Sequence, residues 1–163
     1  MKQGTAHKYG SHINTDLIIA GKYTKTLNFQ DLADHCLEDL DETFVQKVSP
    51  GDLLVAGKNF GCGSSREQAP LALKYAGIGA VLAESFARIF YRNAINVGIP
   101  AVVCDTAQIA DGDTVSLDLD AGTVTVNGEV VLPCQKLPAI MQNILSEGGL
   151  AVFLRKNGDF MSE

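Results

Sequence analysis

Residues 52–104, "DLLVAGKNFGCGSSREQAPLALKYAGIGAVLAESFARIFYRNAINVGIPAVVC", decide the architecture. The apolar runs Asp52–Gly57, Gly79–Glu84 and Ile99–Cys104 are short, as buried strands are. The turn signal Ser49-Pro50-Gly51 precedes the first of them. Between the runs lie two helical patterns. Residues 66–77 close on Gly77 as a C-cap; residues 85–98 are read as capped by Ser85, carry an inward stripe of Phe86, Ile89, Phe90, Ala94 and Val97, and end at Gly98. Strand, helix, strand, helix, strand implies parallel pairing with right-handed crossovers.

Upstream, residues 28–40 place Phe29, Leu32, Ala33, Cys36, Leu37 and Leu40 at helical spacing, with Asn28 as N-cap. The segment before it, "NTDLIIAGKYTKTL", reads as a strand or turn feeding a mobile loop. Downstream, residues 113–132 alternate apolar and polar side chains and carry the hairpin signals Asp120-Ala121-Gly122 and Asn127-Gly128, an antiparallel meander. The tail "PAIMQNILSEGG" predicts a further helix, with Pro138 suited to its first turn. The expected fold is α/β, a small parallel layer plus a β-rich appendage, packed as one domain over residues 1–163.

The composition excludes several functions. The net charge of −6, without a basic cluster, argues against nucleic-acid binding. No apolar run approaches the roughly 20 residues of a membrane span, so no membrane partner is expected. The N-terminus lacks the pattern of a secretory signal, making the cytoplasm the expected compartment. Cys36, Cys62, Cys104 and Cys134 form no CxxC pair and the histidines no ligand-spaced set, so no metal is expected in this chain.

The chemistry concentrates in "NFGCGSSREQAP", residues 59–70. It is no P-loop, since Ser64 stands where the phosphate-binding lysine belongs, and no GxSxG nucleophile elbow, since the order is Gly-Cys-Gly-Ser-Ser. Ser64-Ser65-Arg66-Glu67 has the form of a capping box, although Pro70 would delay the regular helix. Against capping alone stand the backbone of Gly61, Cys62 and Gly63, which lets amides approach an anion, the two hydroxyls, and Arg66, which can take a carboxylate bidentately. Cys62 reads as a small filler rather than a nucleophile.

"NFGCGSSRE", followed by "SFARIFYRNAINVGIP" and preceded by "NTDLI", closely resembles the small-subunit family of the aconitase superfamily, the branch of 3-isopropylmalate dehydratase and homoaconitase. The resemblance runs from about residue 5 to 104 and weakly beyond. It implies a swivelling β/β/α domain, equivalent to the last domain of aconitase, docked on a large subunit whose [4Fe-4S] cluster is bound by that partner and not by this chain. It implies a hydro-lyase acting on a di- or tricarboxylate, with isopropylmalate of leucine biosynthesis the expected substrate and homoaconitate or 2,3-dimethylmalate the rivals. A non-catalytic anion-binding module is the reading from another class. By the same resemblance Ser64 is the catalytic base, Ser65 and Arg66 bind substrate carboxylate, and Asp16 orients them. The loop holding Tyr23, Thr24, Lys25 and Thr26 is expected to meet the variable side chain of the substrate, with Leu27 lining the pocket beside the stem of Lys25.

Overall fold

The computed structural model describes residues 2–26, 28–64 and 66–157. Its strands are β1 (Lys2–Lys8), β2 (Leu53–Ala56), β3 (Ala80–Ala83), β4 (Ala101–Val103), β5 (Thr114–Asp118), β6 (Thr123–Val126) and β7 (Val130–Pro133). They form one seven-stranded sheet in the order β4-β3-β2-β1-β5-β6-β7. The parallel layer and the meander are therefore not core and appendage. Strand β1 joins them: Ala6–Lys8 pair in parallel with β2, while Lys2–Thr5 pair antiparallel with β5. The sequence reading passed over β1 because its Lys-, Gln- and Gly-containing run shows neither clean alternation nor an apolar block.

The two edges of the sheet curl toward each other. Cys104, just past β4, stands opposite Cys134, just past β7, and Gln135 N donates to Val103 O at 2.9 Å. Alternate residues of the strands consequently face two cores. Leu53, Val55, Leu82, Val102, Val115 and Val124 fill the inside of the curl. Leu54, Ala56, Val81, Ala83 and Ala101 face the helices on the other side. Burial on both faces explains why the parallel strands read as unbroken apolar runs. Each fully buried Leu or Val side chain contributes roughly 1.5–3 kcal/mol.

The helices are α1 (Thr15–Ile18), α2 (Phe29–Asp34), α3 (Phe44–Lys47), α4 (Gln68–Ala76), α5 (Arg88–Val97), α6 (Ala139–Ser146) and α7 (Leu150–Asn157). Helix α2 begins at the expected cap, Asn28, whose side chain accepts from Gln30 N, but it stops well before residue 40. Leu37 adopts φ 59°, which no α-helix accommodates, and its amide turns away to donate to Ile18 O at 2.8 Å. Residues 15–18 form a helical turn rather than a strand, capped by the Asn14 side chain accepting from Leu17 N. Gly77 and Gly98 close α4 and α5 with φ of 110° and 96°. Ser85 does not cap α5, which starts at Arg88 after Ala87; its Oγ instead accepts from Asn59 N at 2.7 Å. Pro138 lies in extended backbone one residue ahead of α6.

A buried clip ties the start of β2 to β1. Asp52 Oδ2 accepts from Ser49 N at 2.9 Å and lies 2.7 Å from His7 Nε2, while Asp52 Oδ1 accepts from Thr5 N at 3.1 Å. Burial disfavours the charged Asp52, but these hydrogen bonds outweigh it and hold the carboxyl below the usual carboxylate range.

Candidate active site

Past the carboxyl end of β2 the chain enters the glycine loop and is stitched on both sides. Phe60 N donates to Ser85 O at 3.1 Å and Ala87 N to Phe60 O at 2.9 Å; Gly61 N donates to Ile13 O at 2.8 Å and Thr15 N to Cys62 O at 2.9 Å. The loop thus runs as a short extra strand between residues 13–15 and 85–87. Gly61 permits this in two ways. Its φ is 83°, and a Cβ there would sit 2.2 Å from Cγ of Phe90.

Ser64 does not open a capping box. Helix α4 starts at Gln68 after Glu67, with no side-chain cap. Pro70 is the reason: it lies in the first turn, where its missing N–H costs nothing, so the regular helix starts later than the serines. Exposed Ser64 is held instead through its backbone. Its carbonyl accepts from Arg66 N at 3.0 Å and from Thr15 Oγ1 at 2.9 Å, and its Oγ lies 3.4 Å from Thr15 Oγ1. Arg66 Nη1 pairs with Asp16 Oδ1 at 2.6 Å and donates to Ile19 O at 3.3 Å. The guanidinium lies against Gly21, where an added Cβ would meet it at 3.3 Å. Helix α1 thereby supplies both supports of the motif, Thr15 beneath Ser64 and Asp16 beside Arg66. Ser65 falls outside the described residues.

A cavity of about 200 Å³ opens beside Ser64. Thr15, Ser64 and Arg66 form one wall, Arg88, Ile89 and Asn93 the other, with Gly61 and Phe90 between them. Sequence reasoning found Ser64, Arg66, Asp16 and the Gly61–Gly63 backbone, and the structure brings these together. It missed Thr15, Arg88 and Asn93. Thr15 was hidden next to Asp16 in "NTDLI", and Arg88 and Asn93 were two of several polar positions, with Arg92 and Asn96, on an amphipathic helix.

Tyr23–Thr26 do not line this cavity. The Tyr23 ring stacks on His35 at 3.8 Å and its hydroxyl donates to Glu38 Oε2 at 2.9 Å. Those contacts, from Tyr23 first and His35 second, hold the Glu38 carboxyl below its ordinary range. Thr24 Oγ1 donates to Gly21 O at 2.8 Å and Thr26 Oγ1 to Asp31 Oδ2 at 3.0 Å. Lys25 is exposed, and Leu27 falls outside the described residues. The segment begins at Gly21, against Arg66, and so borders the site from its Arg66 side.

Among the described residues no group of three or more His, Cys, Asp and Glu side chains could hold a metal ion. Burial pushes the Cys36 thiol up, and burial followed by the neighbouring Cys134 pushes Cys104 up to about 12. No helix among the described residues is long and apolar enough to cross a membrane.

Residues 11–106, which contain the glycine loop, α1, α4 and α5, match the aconitase C-terminal domain. The chain belongs to the aconitase C-terminal domain family. It is 50% identical over 155 residues to the methanogen homoaconitase small subunit of Methanocaldococcus jannaschii, covering 94% of this chain and 91% of that one. It is 52% identical over 158 residues to the 3-isopropylmalate dehydratase small subunit of Caldicellulosiruptor saccharolyticus, covering 94% and 90%. A crystal structure of 3-isopropylmalate dehydratase from Methanocaldococcus jannaschii superposes with a TM-score of 0.92 at 48% identity, covering 98% of this chain and 96% of that one.

Proposed function

We propose that this chain is the small subunit of a heteromeric hydro-lyase that interconverts 2-isopropylmalate and 3-isopropylmalate by dehydration and rehydration. On this reading residues 1–163 are one swivelling domain that closes over a large subunit. The chain offers no ligand set for an iron–sulfur cluster among its described residues, and the [4Fe-4S] cluster is assigned to the large subunit. The observation that carries the proposal is the convergence of Ser64, Arg66 and Thr15 on one cavity, with Asp16 paired to Arg66 outside its lining.

Within that cavity each residue has a physical task. Arg66 takes a substrate carboxylate with its fork of N–H donors, in exchange for exposed Asp16, which holds the fork oriented until substrate arrives. Ser64 exchanges the proton alpha to that carboxylate. A serine hydroxyl is a weak base, so its ionised form needs donors. Thr15 has one proton within reach of two acceptors, the Ser64 carbonyl at 2.9 Å and Ser64 Oγ at 3.4 Å. An alkoxide is the stronger acceptor, so that proton turns to Oγ as Ser64 ionises. The guanidinium of Arg66 stabilises the same charge, the more so when closure against the large subunit excludes water.

One observation favours a second reading, homoaconitase: Lys25 is an exposed cation on the loop that starts at Gly21 against Arg66, outside the cavity lining, and a longer substrate with a distal carboxylate could reach it. The test is kcat/KM for 3-isopropylmalate, 2,3-dimethylmalate and homoaconitate on the complex reconstituted with the large subunit from the same genome. Preference for 3-isopropylmalate, unchanged in Lys25→Ala, is expected. Preference for homoaconitate that Lys25→Ala selectively removes would replace isopropylmalate with homoaconitate as the substrate.

A further inference from the structure

We propose that Arg88 is the second carboxylate-binding cation of the site, taking the substrate carboxylate that Arg66 does not. The inference rests on the dehydratase reading above, whose substrates carry at least two carboxylates. One guanidinium serves one carboxylate bidentately, so a second anionic end needs its own donor or stays desolvated and unpaired.

The cavity supplies that donor from its far wall. Ser64 and Arg66 stand on the glycine loop, and Arg88 stands across from them on the first turn of α5. The spacing between the walls is fixed, because Phe90 packs where a Gly61 Cβ would be and Ala87 N is bonded to Phe60 O at 2.9 Å. Between the two guanidinium-bearing walls lie Gly61 and Phe90, and Ile89 extends the apolar lining beside Arg88, where a substrate's carbon chain would lie. Ile89 is 52% exposed, an apolar surface that a branched alkyl substituent would cover.

The two arginines differ in their present engagement. Arg66 is tied to Asp16 and to Ile19 O. Arg88 is exposed, and among the described residues no carboxylate forms an ion pair with it. Arg88 also borders a second cleft holding Glu84, yet no salt bridge forms there either. In a chain of net charge −6, an uncommitted guanidinium facing the same cavity as the catalytic serine provides the local positive charge that an anionic substrate requires.

The test uses the reconstituted complex at saturating large subunit, with Arg88→Gln and Arg88→Lys. Loss of a charged hydrogen-bonded contact predicts a rise of about 10- to 100-fold in KM for the dicarboxylate in Arg88→Gln. The inhibition constant of malonate should rise in parallel, while that of acetate, which needs only Arg66, stays within about twofold. Arg88→Lys should recover part of the loss, since it keeps the charge without the fork. Affinity for the large subunit, measured by analytical ultracentrifugation, should be unchanged in both variants. An unchanged KM would overturn the proposal, and so would a weakened assembly with normal KM, which would place Arg88 on the partner surface. A wild-type complex without dehydratase activity would instead overturn the functional reading, and this inference with it.

Discussion

The Thr15 hydroxyl donates to the Ser64 carbonyl at 2.9 Å and approaches Ser64 Oγ to 3.4 Å, joining α1 to the glycine loop across 49 residues of sequence. Thr15 is 2% exposed, so its hydroxyl cannot be replaced there by bulk water. Thr15→Val keeps the shape and removes the donor. It should cost about 1–2 kcal/mol of stability through the unmet carbonyl, and lower kcat roughly tenfold or more with KM little changed. Thr15→Ser should restore kcat. Steady-state kinetics on the reconstituted complex, beside thermal melts of the free chain, separate the two effects.

Ser64→Ala should leave the fold almost untouched. The side chain is exposed and caps no helix, because α4 begins at Gln68. The expected stability change lies within about 0.5 kcal/mol, while loss of the proposed base should lower turnover at least about 100-fold. A loss of about 1 kcal/mol with turnover retained would restore the capping role instead.

Gly61→Ala should destabilise the chain by roughly 2–4 kcal/mol. A left-handed backbone costs a non-glycine residue about 1–2 kcal/mol, and a Cβ placed 2.2 Å from Phe90 Cγ adds overpacking of a similar size. The double variant Gly61→Ala/Phe90→Ala should recover only the part of the overpacking due to the ring, because the Cβ of residue 90 would still lie 2.4 Å from the added one, and none of the backbone part. Chemical denaturation of the three variants measures the partition.

The strands around the motif were legible because parallel strands buried on both faces leave unbroken apolar runs, as at Leu53–Ala56 and Ala80–Ala83. Glycine ends to α4 and α5 were legible for a local reason as well, the φ that only glycine adopts cheaply. What was not legible depends on contacts distant in sequence. Leu37 has an ordinary helical spacing, and only its amide's bond to Ile18 O explains why α2 stops before it. The SxxE pattern of Ser64 and Glu67 is local and misled, because Pro70 and the ties to Ile13 and Thr15 hold the serine outside the helix. Arg88 could not be placed in the site until the crossover from β3 brought α5 against the loop.

Asp52 should make the fold acid-sensitive. Its carboxyl is held below the usual range by bonds from His7, Ser49 N and Thr5 N, which outweigh its burial. A depressed folded pKa stabilises above the unfolded value, near 3.9, and that contribution disappears as pH falls through the folded value. Melting temperature should therefore drop on acidification below about pH 4. Asp52→Asn keeps one acceptor but loses the charge-assisted bonds, so it should be less stable at neutral pH by about 1–3 kcal/mol and should show a shallower acid limb. Equal slopes in the two proteins would assign the acid transition to other carboxylates.

Cys104 and Cys134 face each other where the edges of the sheet meet, at a non-hydrogen-bonded position, since the adjacent bond runs from Gln135 N to Val103 O at 2.9 Å. Opposed residues at such positions have Cα atoms about 4.5 Å apart, within the roughly 4.4–6.8 Å that a disulfide spans. Both thiols are free, and burial holds both in the protonated form at neutral pH, so oxidation by air should be slow. Oxidised glutathione at mildly alkaline pH should overcome this. The thiolate of Cys134, the more exposed of the two, displaces one glutathione to give a mixed disulfide; Cys104 then displaces the second, so two protein thiols are oxidised and one glutathione disulfide is reduced. Titratable thiols should fall from four to two. Closing a loop of roughly 30 residues should raise stability by up to about 3–4 kcal/mol and the melting temperature with it, reversibly on reduction. Cys134→Ser should abolish the effect. A persistent mixed disulfide, or a lower melting temperature after oxidation, would show that the two edges do not meet in solution as they do here.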